Sequence, residues 1–253
     1  MNYKINVNII VAHCNGGGIG KDGNIPWKLP RDMKYFKGLT TDTYNDDGNL
    51  IENARNAVIM GRKTYESIPE KFRPLSDRYN LVLSSNEPKN LTVDEIDHHL
   101  GIDLHYMNSY KELYDSIIEH RTSIANIYVI GGGSIYNDFL WNEDVHKLFN
   151  VKMIYVTRIR KKYECDAYFP KIPSNYFIED YTPDFEEDNH KYYFIRYEKK
   201  EQEHEEYNYL KIVKNILDNN TYKLDRTGEG ILSQFGCTQR YDIYNSFPLL
   251  TTK

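Results

Sequence analysis

Asp32 falls in a segment, Leu29-Pro30-Arg31-Asp32, that reads as the first turn of a helix, and Phe36 follows four residues later. Residues four apart share a helix face, so the spacing predicts a carboxylate beside an aromatic wall, with Met33 adjoining. An acid so placed suits a flat heterocycle with amidine-like nitrogens, which it can meet with two parallel N–H···O bonds. The plainer reading is an acid favoured at a helix start by the backbone dipole. Two glycine-led turns carry a second chemistry. Gly61-Arg62-Lys63-Thr64 follows the apolar run 57–60, and Gly131-Gly132-Gly133-Ser134 follows 127–130. Each is predicted to lead from a strand into a helix, where unpaired backbone N–H groups attract an anion. Consecutive glycines leave no side chain in the way of a phosphate. Either turn alone reads as well as ordinary surface structure, whereas two on one sheet edge favour a dinucleotide. Ser84, Ser85 and Asn86 follow another strand and add polar donors. Arg78 is either a fork for a substrate carboxylate or a surface arginine.

Gly18-Ile19-Gly20-Lys21-Asp22-Gly23 matches G-x-G-x-x-G, but that fingerprint requires a helix to open inside it. Here Asn24-Ile25-Pro26-Trp27 follows, and the residue before proline avoids helix. We read residues 15–24 as a flexible loop whose backbone approaches a flat ligand.

The elements that must position these groups follow from pattern. Strands are predicted over 5–12, 57–60, 79–83, 126–130, 153–157 and 192–197. Helices are predicted to open at Pro30, which suits a first turn, and at Gly61, Ser109 and Ser134. Ser109 and Glu112 form a capping box before the stripe Leu113, Ile117, Ile118. Residues 41–56 read as a surface loop. Strands alternating with helices predict an α/β domain with a mainly parallel sheet, in which ligands bind beyond the carboxyl ends of the strands.

Composition sets the outer limits. With 253 residues, 40% of them hydrophobic, the chain can bury one large core. Its net charge of −5 does not favour nucleic acid as a partner. Cys14, Cys165 and Cys237 follow no metal or redox spacing, and scattered thiols fit a reduced, cytosolic protein. The first residues do not read as a signal peptide, and no run approaches a membrane span. A charged stretch, 198–206, is a linker or a solvated face. After it a helical stripe at Leu210, Val213, Ile216 and Leu217 begins a tail too short to bury its own core.

With these residues in view, positions 5–198 resemble dihydrofolate reductase almost throughout. The resemblance rests on 10–12 (IVA), 18–27 (GIGKDGNIPW), 29–36 (LPRDMKYF), 58–64 (VIMGRKT), 67–69 (SIP), 73–75 (RPL), Arg78, 80–84 (NLVLS), 130–136 (IGGGSIY), 155–158 (YVTR) and 166–170 (DAYFP). It implies NADPH-dependent reduction of dihydrofolate, with antifolate-type compounds as further ligands and no metal. It implies that Asp32 is the catalytic acid and that Thr157 bonds to it and to the pterin amino group. Ile10, Ala12, Met33, Phe36, Ile68, Leu75 and Ile130 would wall the folate, Trp27 would reach it through water, and Arg78 would clamp its glutamate carboxylate. The cofactor would be held by Ala12, by Ile19, Gly20, Lys21, Asp22, Gly23, Asn24 and Ile25, by Gly61, Arg62, Lys63 and Thr64, by Ser84, Ser85 and Asn86, and by Gly131, Gly132, Gly133, Ser134, Ile135 and Tyr136. Three departures stand out. The loop 15–18 is one residue longer than the common pattern. Ser85 replaces an arginine of many relatives, so preference for NADPH would rest on Arg62, Lys63 and Ser84. Phe72 replaces a polar residue near the folate tail.

The tail resembles the start of thymidylate synthase, at 206–210 (EYNYL), 225–228 (DRTG), 235–236 (FG) and 247–253 (FPLLTTK). The resemblance implies that Arg226 binds a nucleotide phosphate. That family's nucleophilic cysteine lies farther on, and Cys237 is not it by position. The expected organisation is a reductase domain over 1–198, a linker over 199–205 and an incomplete α+β synthase segment over 206–253. A full-length form is expected to dimerise through the synthase domain.

Overall fold

The computed structural model describes residues 3–44, 48–84 and 103–200, and beyond them only 213, 214, 216, 222–224 and 230–232. Ser85, Asn86, Arg226 and Cys237 lie outside the described residues. The chain divides into two units, Met1–Lys199 and Lys200–Lys253.

In the first unit, Ile5–His13 (β1) leads to Gly18–Gly20 (β2) and then to Pro30–Thr41 (α1). Arg55–Gly61 (β3), Arg62–Ser67 (α2), Arg78–Leu83 (β4), Asp103–Met107 (β5) and Tyr110–Glu119 (α3) follow. Next come Ile124–Gly131 (β6), Gly133–Trp141 (α4), Glu143–Leu148 (α5) and Phe149–Ile159 (β7). Ala167–Tyr168 (β8), Tyr176–Tyr181 (β9), Phe185–Glu187 (β10) and His190–Lys199 (β11) complete it. In the second unit, Tyr222–Leu224 (β12) and Gly230–Leu232 (β13) pair antiparallel.

The predicted parallel sheet is present. Strands β7, β1, β6, β3, β4 and β5 lie side by side in that order, all parallel. β11 adds antiparallel to β7, and β9 and β10 pair with β11. Side chains alternate between two faces along each strand. Ile9, Ala57, Ile59 and Val129 therefore join one apolar cluster with Leu113, Ile117, Phe139 and Leu140 of α3 and α4. Ile10, Val58, Met60, Val82 and Tyr128 join another with Phe36 and Leu39 of α1 and Tyr65 of α2. A sheet covered on both faces explains why β3 reads as a continuous apolar run.

Several elements differ from the sequence expectation. The loop 15–24 contains β2, paired with β8, and closes on a tight turn. β5, β9, β10 and α5 had no periodic signal. The 41–56 segment begins in α1 and ends in β3. On α3, Ser109 accepts from the Glu112 N–H as predicted, but the Glu112 carboxylate accepts from Asn108, one residue before the cap. Leu113 and Ile117 are fully buried, whereas Ile118 faces solvent. Among the described residues no helix is long and apolar enough to cross a membrane.

Candidate active site

Asp32 lies in the first turn of α1, whose start is favoured by Pro30 at N1 and by a carboxylate near the positive end of the dipole. The Thr157 hydroxyl donates to Asp32 Oδ1 at 2.6 Å. Thr157 is 3% exposed and stands beside Ala12 across the β1–β7 pair. Burial pushes the Asp32 carboxyl above its usual range; the Thr157 bond opposes this, and the Glu187 charge reinforces it. Glu187 itself accepts from the buried Tyr192 hydroxyl at 2.9 Å and faces the Arg31 N–H at 3.4 Å. Two carboxylates therefore share one helix start.

Phe36, one turn along α1 from Asp32, packs against an apolar cluster. Ile10 is buried in the second cluster, and Phe36, Ile68, Leu75 and Ile130 pack against it partly exposed. Met33 is 55% exposed and lies outside these clusters. Ala12 and Trp27 belong to a neighbouring cluster, where Trp27 meets the Tyr163 ring.

Arg78 is 4% exposed. Its Nη1 donates to Thr40 Oγ1 at 2.7 Å and its Nε to the Ser76 carbonyl at 2.9 Å. Five guanidinium N–H donors are available, and among the described residues no carboxylate pairs with them. A buried cation without a counter-ion is costly, and burial lowers its pKa, with Asp77 opposing. Thr40 and Asp32 are eight residues apart on α1, about 12 Å of rise. The helix thus presents an anionic end and a cationic end.

The two glycine turns meet at the carboxyl edge of the sheet. A Cβ on Gly132 would stand 3.1 Å from Thr64 Oγ1, and one on Gly61 would stand 3.2 Å from Ile135 Cγ1. No side chain caps α2 or α4, whereas Ser109 caps α3 and Asn142 caps α5. The first N–H groups of α2 and α4 thus have no intrahelical partner. Gly131 has φ +128, and the Gly131–Gly132 peptide is cis. A Cβ on Gly133 would lie 2.7 Å from the Tyr168 carbonyl. Beside this turn β1 and β6 pair only at Asn8–Tyr128 and Ile9–Val129. β1 stays paired with β7 through His13, and β6 with β3 through Gly131. The sheet therefore splits between β1 and β6 towards its carboxyl edge, at the position where ligands enter such sheets. Tyr136 and Ile135 are buried, and the Tyr136 hydroxyl donates to the Ile10 carbonyl at 2.7 Å. Ser134 is exposed, and Ser84 is half-buried with its N–H on Met107.

Lys63 is exposed, and Arg62 pairs with Glu66 at 2.6 Å on its own helix. Ile19 and Gly20 lie in or beside β2. Lys21 and Asn24 exchange both backbone bonds at 2.9 Å around Asp22 (φ 50) and Gly23 (φ 75). Two central residues at positive φ make a tight hairpin turn that favours Asp-Gly. The Asp22 N–H donates to Asp166, Lys21 pairs with exposed Glu164, and Ile25 is exposed.

Two positioning residues were missed from sequence. Asn80, fully buried, brackets Leu75 through both its N–H and its carbonyl and also bonds to the Arg78 carbonyl. Asn56, also fully buried, donates to the Asp42 carbonyl and accepts from the Asn126 N–H, pinning the end of α1. Asparagine inside an apolar strand run is unusual, and that was the available signal.

Residues 6–200 match the family model described as dihydrofolate reductase, and residues 207–253 match that of thymidylate synthase. A bifunctional dihydrofolate reductase-thymidylate synthase of Glycine max is 34% identical across 100% of this chain and 52% of its own length. A dihydrofolate reductase of Aedes albopictus is 34% identical over 76% of this chain and 96% of its own. That of Drosophila melanogaster is 36% identical over 67% and 81%. The chain spans about half the length of the bifunctional relatives it matches.

Proposed function

Because the chain belongs to the dihydrofolate reductase family, we propose that it reduces 7,8-dihydrofolate to 5,6,7,8-tetrahydrofolate with NADPH, as a step of cytosolic one-carbon metabolism. The observation that carries this reading is the Asp32–Thr157 bond of 2.6 Å on a helix whose Phe36 packs against an apolar cluster. Asp32 accepts from the ring N–H and amino groups of the pterin. Thr157, which spends its only hydrogen on Asp32, keeps an oxygen lone pair for the same amino group. Ile10, Phe36, Ile68, Leu75 and Ile130 flank the ring and exclude water, and Met33, exposed on α1 beside Asp32, adds to the edge of that wall. Arg78, with Thr40 holding one arm, clamps the glutamate carboxylate at the far end of α1.

The residues at the split sheet edge fit a dinucleotide phosphate, since uncapped helix starts and glycines at a close approach leave N–H groups free. Gly131, Gly132, Gly133 and Ser134, with Gly61, Lys63 and Thr64, would hold it, and Ala12 with residues 19–25 would cover the nicotinamide. Arg62 would have to leave Glu66 to join them. When bound, NADPH supplies the hydride. Asp32, raised in pKa by burial, favours arrival of a proton, through water, at the ring nitrogen next to the reduced carbon.

An absorbance assay decides this. NADPH oxidation that depends on dihydrofolate and stops with methotrexate is the expected result. Lack of dihydrofolate-dependent oxidation refutes the reading, and turnover of a ribosylated pyrimidine instead would assign the related reductase of riboflavin synthesis. We further propose that residues 207–253 begin a thymidylate synthase domain in which Arg226 meets a nucleotide phosphate. Synthase activity and homodimerisation belong, on this reading, to a protein carrying that whole domain.

A further inference from the structure

Cys14 and Cys165 are 151 positions apart in the chain, yet their sulfurs lie 4.0 Å apart. Both are free thiols. Cys14 directly follows β1, is 1% exposed, and donates its N–H to the Gly18 carbonyl. Cys165 is partly exposed and precedes Asp166, whose N–H bonds to the Gly20 carbonyl. Gly18 packs against both sulfurs. A Cβ there would fall 2.5 Å from Cys165 Sγ and 3.0 Å from Cys14 Sγ, so only glycine lets both thiols occupy this space. The backbones are already tied together by the β2–β8 pair and by the Phe169 N–H on Gly17. A disulfide, with sulfurs about 2 Å apart, thus needs two sulfurs already in contact to approach further.

We propose that Cys14 and Cys165 form a reversible dithiol–disulfide site whose oxidation staples the glycine loop to the segment entering β8. The oxidant is a low-molecular-weight disulfide. The Cys165 thiolate, the more accessible, attacks one of its sulfurs and breaks the S–S bond, releasing one small thiol and leaving a mixed disulfide. The Cys14 thiolate then displaces the second small thiol and forms the intramolecular bond. Two protein thiols are oxidised, one small disulfide is reduced to two thiols, and the two cysteine protons end on those products. The attacking species is the thiolate, and burial together with neighbouring Cys14 and Asp166 raises the Cys165 pKa against the opposing Gly20 backbone bond. Exchange therefore accelerates with alkalinity. The loop that is stapled carries Ile19 to Ile25, but the cross-link itself does not depend on the reaction proposed above.

The test treats the full chain with oxidised glutathione at mildly alkaline pH, quenches with acid, alkylates under denaturing conditions and maps peptides by mass. The expected result is joint loss of the Cys14 and Cys165 thiols, one linked peptide pair containing both, and full recovery with dithiothreitol. Gly18→Ala, which thrusts a methyl against both sulfurs, is expected to suppress the linked pair. A glutathione adduct on Cys165 with Cys14 still open to alkylation overturns the proposal, as does a linkage of either cysteine to Cys237. Mapping on the unsubstituted chain decides between these outcomes even where a variant folds poorly.

Discussion

At the residue scale, the carboxylate proposed to act in the chemistry is expected to have the opposite effect on stability. Asp32→Asn keeps the shape and one acceptor but cannot release or hold a proton in the same way. Its kcat for dihydrofolate is expected to fall by about 10²–10⁴-fold, the usual worth of acid–base assistance, and steady-state kinetics read this directly. Stability runs the other way. A carboxyl whose pKa is raised on folding takes up protons more readily in the native than in the unfolded chain, so stability falls as pH climbs from the ordinary carboxylate range through the raised value. The asparagine variant is therefore expected to melt above the parent at pH 7, with the gap closing in acid. Glu187→Gln removes a like charge facing Asp32, which lowers the Asp32 pKa. The limb of the pH–rate profile that needs the protonated acid is expected to move to lower pH, whereas a purely structural role for Glu187 would leave that limb in place. Arg78→Leu is expected to raise KM for dihydrofolate about ten- to a hundredfold, as a lost charge-assisted bond implies, with KM for NADPH unmoved. Asp32 was singled out by its spacing to Phe36, and the expected roles of Asp32 and Arg78 came from the family resemblance. Glu187 and Thr40 gave no such signal, because Asp32 and Arg78 are brought to them only by the fold, whereas Asn80 bonds to nearby Leu75 and Arg78 and was marked only by its place in an apolar run.

At the element scale, the sequence revealed elements that are long, apolar or capped. β1, β3, β4, β6 and β7 are central strands with buried runs, and α1 and α3 carry a proline start and a serine cap. β9 has five exposed residues of six, and its alternation is therefore invisible. α5 has only six residues and depends on the Asn142 cap. β2 hides in a glycine-rich stretch because only its pairing with β8 makes it a strand. Tyr168 of β8 also constrains a glycine outside β2. At Gly133 an added methyl meets the Tyr168 backbone carbonyl at 2.7 Å, and a backbone atom cannot swing aside as a side chain does. Gly133→Ala is expected to cost about 1–3 kcal/mol, the range for overpacking, and to raise KM for NADPH. Thermal melts and kinetics on one preparation check both, and an unchanged melt would mean that β8 yields freely.

At the scale of the whole molecule, the proposed site lies where the sheet parts between β1 and β6 while each stays paired on its other side. Chain order puts β1 in the middle, flanked by β6 and β7, so the first strand ends beside the last parallel ones. Alternating sequence patterns predicted the parallel sheet, but not this order, since strand order is set by crossovers that no local pattern records. All nine strands of that sheet, both clusters that cover it and every described residue of the proposed site fall within Met1–Lys199. A unit with its own core can fold by itself. Residues 1–200 expressed alone are therefore expected to unfold in a single transition and to turn over dihydrofolate with the kcat of the full chain. The charged stretch 198–206 makes this a fair place to cut, though β11 runs through Lys199, so a cut at 196 should fray the strand beside β7 and lower the melting temperature. If instead the 1–200 piece folds but loses turnover, residues beyond 200 contribute to catalysis, and the assignment of the whole site to the first unit fails.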